Sequence, residues 1–212
     1  MCNNYEQQLR WQQYADAMAR LELGLPAEQG PDDLPQAADI RINDVAPIMR
    51  ARGNVVALSS MRWSFPSPRP GGKPAFNFRS EGRRFAKDQR CIIPASAFFE
   101  FTGTKSPKSK WRFTLTSGDP IGIAGIWRPG GGDGPELFTM LTTSTGPDIE
   151  PYHDRQIVVL PPRNWASWLY ADQPEAELLR PLPAGALSVS LARAGKEPPE
   201  QTLLDKAPCA RP

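Results

Sequence analysis

A chain of 212 residues, 40% hydrophobic and 23% charged, has the length and apolar content of one compact domain, which excludes a disordered chain. Its 24 prolines and 17 glycines argue against a helical bundle and for short strands, turns and irregular loops. No apolar run approaches the roughly 18 residues of a membrane span, and the N-terminus lacks the basic-then-apolar order of a signal peptide. The formal charge is +2 and there is a single histidine.

In chain order, Tyr5 to Leu23 is expected as a helix, because Leu9, Trp11, Tyr14, Met18 and Leu21 recur at helical spacing before Gly24 and Pro26. Residues 24 to 38 are acidic and Pro-rich and predict a loop. Strands are predicted over Val55–Ser59, Arg90–Pro94, Ala97–Phe101, Trp111–Thr116, Ile121–Trp127, Leu137–Thr142, Gln156–Leu160 and Leu187–Leu191. Turn-rich stretches separate them at Pro66–Pro74, Thr102–Lys110 and Pro129–Pro135. Asn164–Tyr170 and Glu175–Leu179 predict two short helices. The pattern predicts an α+β chain, a single domain over residues 1–195 with a strongly curved, mostly antiparallel, barrel-like sheet and a few short helices. Residues 196–212 are expected as a loosely attached Pro-rich tail.

The near-neutral total hides an uneven distribution. Residues 46–112 carry fourteen Lys/Arg against Glu81, Asp88 and Glu100, a net of +11, and the rest of the chain is −9. A block of this kind attracts polyanions through phosphate neutralisation and counterion release, although charge runs are also common on plain solvated faces. Trp63, Phe76, Phe78, Phe85, Phe98, Phe99 and Trp111 lie among the charges, as a surface for stacking single-strand bases requires or as strand cores supply. Three scattered cysteines, Cys2, Cys91 and Cys209, form no paired framework and point to a reducing, cytoplasmic compartment. With one histidine and no CxxC spacing, neither a metal nor a cofactor is expected.

Four residues stand out chemically. Removal of Met1 would leave Cys2 as the N-terminus, joining an α-amine of pKa near ~7.7–8.0 to a thiol near ~8.5. Such an aminothiol condenses with an aldehyde, first as a Schiff base and then as a thiazolidine, and can also act as an N-terminal nucleophile. A cysteine after Met is by itself a weak signal. His153, in Pro151-Tyr152-His153-Asp154-Arg155, stands at the entrance of a predicted strand and suits proton donation or phosphate binding, or is an exposed loop residue, the commoner case for a lone histidine. Glu100, in Ala97-Phe98-Phe99-Glu100-Phe101, is either a carboxylate buried among aromatics, with the raised pKa a general acid needs, or a residue on the solvent face of an alternating strand. Asn77, with Arg79 two residues on and sharing its face, can orient a substrate or simply follow a turn.

Met1-Cys2, Asn77 with Arg79 and Glu81, Phe99-Glu100-Phe101 and His153-Asp154-Arg155 resemble, in order and rough spacing, the SOS-response-associated peptidase (SRAP) domain. Asn43 to Pro47, Met61-Arg62-Trp63, Arg90 to Pro94, Ala124-Gly125-Ile126 and Leu141-Thr142-Thr143 support the resemblance, which spans residue 1 to about 192. It implies a sensor and shield for abasic sites in single-stranded DNA. The protein would remove its own Met1 and bond Cys2 to the ring-opened sugar as a thiazolidine crosslink, reversible in some members. Carried over by position, Cys2 is the nucleophile, Asn77 holds the sugar and the Cys2 backbone, and Glu100 shuttles protons. His153 binds near the lesion phosphate and acts in Schiff-base steps. Arg62, Arg79 and Arg155 would contact the phosphate backbone, with Trp63 near the DNA groove. No membrane partner is implied, a monomer is expected, and DNA binding would associate the protein with the nucleoid.

The chain also departs from the family pattern. Asn3-Asn4 follows Cys2 where Gly-Arg is common, removing an arginine phosphate contact. Ser64-Phe65-Pro66 follows Trp63 in place of a base-wedging pattern, Phe78 replaces a small residue, and Tyr152 an isoleucine. Two further readings stay open: a diverged, non-covalent single-stranded DNA-binding module, and a cysteine protease using Cys2, His153 and Asn77.

Overall fold

The computed structural model describes residues 2–20, 34–67 and 69–204. In chain order the elements are β1 (Asn4–Gln7), α1 (Trp11–Arg20), β2 (Ala37–Arg41), β3 (Val45–Arg52), β4 (Val55–Trp63), β5 (Asn77–Arg79), β6 (Arg90–Ala95), β7 (Ala97–Thr102), β8 (Ser109–Leu115), β9 (Ile121–Arg128), β10 (Leu137–Ser144), β11 (Arg155–Ile157), β12 (Val159–Leu160), α2 (Trp165–Tyr170), α3 (Glu175–Leu178), β13 (Leu187–Arg193) and α4 (Pro199–Leu204). The larger sheet has the order β11-β10-β4-β3-β6-β9-β12, and β10 also pairs with β9, so β10, β4, β3, β6 and β9 close into a ring. Pairing is antiparallel except where β10 meets β4 and β5. A second, antiparallel sheet has the order β13-β8-β7-β1-β2. The α+β chain with a strongly curved, mostly antiparallel sheet and short helices is therefore what folds, divided between two sheets.

Glycine spacing in β9 lets the ring close. Gly125 faces Cys91 of β6 on one side and Met140 of β10 on the other. A Cβ there would stand 2.3 Å from Ile93 Cδ1 and 2.9 Å from the Thr139 carbonyl oxygen, closer than packed atoms approach. Alternate residues of β6 then feed two cores. Cys91 and Ile93 join Tyr5, Trp63, Phe98, Phe113 and Phe138 between ring and second sheet, while Ile92 joins Trp11, Tyr14, Trp165 and Trp168 beneath the helices.

Three expectations change. The helix expected from Tyr5 begins only at Trp11, and Asn4–Gln7 is a strand. Tyr5 lies opposite Ile40 on one side and Phe98 on the other, so two ladders satisfy a segment whose spacing alone suits a helix. Leu21 to Leu23 fall outside the described residues, as do Met1 and Cys209. Strands β2, β3 and β5 were not expected, and β3 carries Pro47 and two arginines. Its pairing to β6 is confined to Met49 opposite Ile92, which spares a proline-bearing strand a second full ladder. Finally, the start of the tail is attached. The Lys196 amide donates to the Pro107 carbonyl at 2.9 Å. Glu197 accepts from Thr104 N at 2.6 Å and Thr104 Oγ1 at 2.8 Å, and Leu203 of α4 packs on the first core.

Candidate active site

Cys2 precedes β1 and is fully buried in the first core, its thiol donating to the Asn4 carbonyl at 3.1 Å. Burial pushes the thiol pKa up to about 12, and the neighbouring Glu100 carboxylate acts in the same direction. Asn77, 75 residues away, donates its Nδ2 to the Cys2 carbonyl oxygen at 2.8 Å. Its Oδ1 is buried and accepts no hydrogen bond among the described residues.

Asn77 is delivered by β5, which lies parallel to β10 with Asn77 opposite Met140 and Arg79 opposite Thr142. Trp63 anchors the strand by donating Nε1 to the Phe76 carbonyl at 2.8 Å. That same role removes Trp63 from the surface. Fully buried, it stacks on Phe138 at 6.2 Å and meets Tyr5 edge-on at 5.5 Å, so it has no ring face for a DNA base. The expectation of Trp63 beside DNA is corrected: it is the support under Asn77.

Glu100 is 1% exposed, so it does not lie on a solvent face. It pairs across from Trp111 of β8, on the face that Phe98 and Phe113 also line. Tyr152 packs edge-on against Trp111 at 5.0 Å and Phe113 at 5.1 Å, which brings the loop carrying His153 over the strand opposite Glu100. The His153 side chain keeps 23% exposure, with Nδ1 lying 2.7 Å from Asp154 Oδ1.

Arg155 is committed elsewhere than expected. Its guanidinium binds Glu81 through two contacts, Nη1–Oε1 at 2.8 Å and Nη2–Oε2 at 2.9 Å, and Nη2 also donates to Thr142 Oγ1 at 3.2 Å. The Arg155 hydrogen bonds hold the Glu81 carboxyl below its ordinary value. This pair ties β11 to the loop after β5 and leaves Arg155 a brace rather than an open phosphate clamp. Arg62 and Arg79 are exposed, and Arg62 lines a cleft of about 400 Å³ with Asn43, Ser64 and the Gly130–Gly134 loop. A cleft of about 630 Å³ opens beyond Arg79 between Glu81, Arg83, Arg84 and Glu175, and Cys2 does not line it. Among the described residues no cluster of three or more His, Cys, Asp or Glu side chains is grouped to hold a metal.

The chain matches the family model described as SOS response associated peptidase (SRAP) over residues 1–192. It belongs to that family. Over 115 residues it is 31% identical to abasic site processing protein YoqW of Bacillus subtilis (strain 168), covering 52% of this chain and 48% of that protein. YobE of the same organism, also named an abasic site processing protein, is 30% identical over 115 residues, 52% of this chain and 49% of the relative. The chain thus spans about half the length of these curated relatives. A Bordetella bronchiseptica crystal structure superposes with a TM-score of 0.67 at 26% identity, over 91% of this chain and all of that one. A Bacteroides thetaiotaomicron structure, at 16% identity, shares the fold with a TM-score of 0.65, over 97% of this chain and 100% of its own.

Within this SRAP fold the positive segment is smaller than its sequence total. Arg50, Arg90, Lys110 and Arg112 bind Glu136, Glu175, Asp39 and Glu6 at 2.9, 2.7, 3.0 and 2.7 Å, all four carboxylates coming from outside residues 46–112. Arg62, Arg69, Lys73, Arg79, Arg83 and Arg84 stay exposed, and they bracket Asn77 in sequence. Sequence reasoning missed the supports: Thr142, the Phe76 carbonyl, and Asn4, which donates to Asp39 rather than facing DNA. Each acts across many residues of chain and leaves no local signature.

Proposed function

We propose that this chain processes abasic sites in single-stranded DNA by bonding covalently to them through Cys2 after loss of Met1. The observation that carries the reading is the Asn77 amide on the Cys2 carbonyl at 2.8 Å, with the buried Glu100 carboxylate beside the same residue. The names of the curated relatives and the exposed arginines around Asn77 support it.

Hydrolysis of the Met1–Cys2 bond consumes one water and frees the α-amine. The amine attacks the aldehyde of the ring-opened sugar and expels water as the imine forms. The thiol then adds across the C=N bond, its sulfur to carbon and its hydrogen to nitrogen, closing the thiazolidine without any oxidant. Burial, which favours the neutral thiol, suits this order, because the amine reacts first and the S–H needs a local base. Glu100 takes and returns that proton. Asn77 holds the Cys2 backbone while its buried Oδ1 receives a sugar hydroxyl, and His153 acts beside the lesion phosphate. Arg62 and Arg79 hold the strand.

Intact mass and denaturing gels test this. Protein shown by mass to have lost Met1 is expected to form a denaturation-resistant adduct with an abasic single strand, and Cys2→Ala to form none. Glu100→Gln should slow adduct formation more than it weakens binding. Processed wild-type protein that makes no adduct overturns the reading. Equal, salt-sensitive binding to intact and abasic strands would then identify a non-covalent module.

A further inference from the structure

His153 Nδ1 has two claimants. The Arg155 backbone N–H points at it from 3.0 Å, and Asp154 Oδ1 stands 2.7 Å away. One ring nitrogen offers either a lone pair or a hydrogen, so it accepts from the amide or donates to the carboxylate, never both. We propose that Asp154 and the Arg155 amide form a two-position holder for His153 Nδ1, which keeps a hydrogen on Nε2 in both charge states and makes Asp154 the positioning residue for the imidazolium.

In the neutral ring Nδ1 accepts from Arg155, and the single hydrogen lies on Nε2. On protonation Nδ1 gains a hydrogen and turns it to Asp154, while Nε2 keeps its own. A ring turned by half a rotation would set a C–H against both partners, so the contacts fix its orientation. The backbone is pinned too: His153 N donates to the Ile149 carbonyl at 3.0 Å, and Thr145 Oγ1 donates to the His153 carbonyl at 3.0 Å. Among the described residues, the charged groups on the elements that hold the ring include Asp154, the Arg155 guanidinium paired with Glu81, and Glu100 on the sheet face that Tyr152 covers.

The consequence, which rests on the abasic-site reading, is a direction for proton flow. The imidazolium releases its Nε2 hydrogen to an oxygen as the N–H bond breaks and an O–H bond forms, leaving a transient Nδ1–H ring on Asp154 that returns to the resting Nε2–H form by proton exchange with water. A neutral ring making the same donation would end as an anion. His153 is therefore an acid whose competent form Asp154 supports.

The single histidine makes the test unambiguous, since a ¹⁵N-labelled sample titrates only one imidazole. Neutral His153 is expected as the Nε2–H tautomer. Asp154 is 90% exposed, so Asp154→Asn should lower the imidazole midpoint by only about 0.2–0.7 unit. The limb on which adduct formation falls with rising pH should move down equally, Asp154→Glu should restore both, and the melting temperature should not change. An unmoved midpoint in Asp154→Asn, or a neutral ring carrying its hydrogen on Nδ1, overturns the proposal. The titration needs no DNA, so expected shifts in a protein that forms no adduct would defeat the abasic-site reading and leave the holder standing.

Discussion

At the scale of single residues, the site depends on one amide reaching one carbonyl. Asn77 Nδ2 donates to the Cys2 carbonyl at 2.8 Å, so the Cys2 backbone is held by a residue 75 positions away and not only by its own short segment. Asn77→Asp keeps the shape but sets a carboxylate oxygen against the Cys2 carbonyl. Adduct formation should fall about 10- to 100-fold, an effect of roughly 1.4–2.8 kcal/mol, while folding is retained. Single-turnover rates on an abasic strand check this, and an unchanged rate would show that Asn77 does not aim Cys2. Cys2, Asn77, Glu100 and His153 could be named as candidates from the sequence because each is a chemically distinctive type in a distinctive setting. Trp63 was misjudged because an aromatic among arginines has the same one-dimensional signature whether it faces a base or a core. Burial is decided by which strands cover it.

At the scale of elements, pairing partners override local periodicity. Strand β1 exists because β2 and β7 flank it, and β5 because β10 and the Trp63 indole hold three residues in place. Strands β8, β9 and β10 were readable because long β-branched and aromatic runs signal burial without knowledge of the neighbour. The ring is the element-scale device, and Gly125 is its narrowest point. Gly125→Ala should cost about 1–3 kcal/mol by pushing on Ile93 and on the Thr139 carbonyl, and should lower the urea midpoint without changing the order of events at Cys2. Equilibrium unfolding measures it, and wild-type stability would mean that β9 can move away from its neighbours.

For the whole molecule, buried protons link folding to alkaline pH. Burial raises Cys2 to about 12, and raises Cys91, Tyr5 and Tyr14 as well. In the unfolded chain thiols ionise near ~8.5 and tyrosines near ~10, so above these values the unfolded state releases protons that the folded state keeps. This part of the stability is complete below about pH 8.5 and is lost as pH rises towards 12. The urea midpoint should therefore decline steadily from pH 8.5 to 10.5, less steeply in Cys91→Ala; a flat profile would contradict the buried protonated groups.

The sequence by itself determined the α+β class, most of the ring strands and which four residues to propose for the chemistry. Residue type, alternation and composition are local properties, and local physics reads them. Only the tertiary structure decided which of those residues meet, that Trp63 supports while Arg62 and Arg79 face outward, and how much of the +11 segment remains available. Four of its cations are held by carboxylates from other parts of the chain. Charge and burial belong to surfaces, and a surface exists only after distant segments have packed.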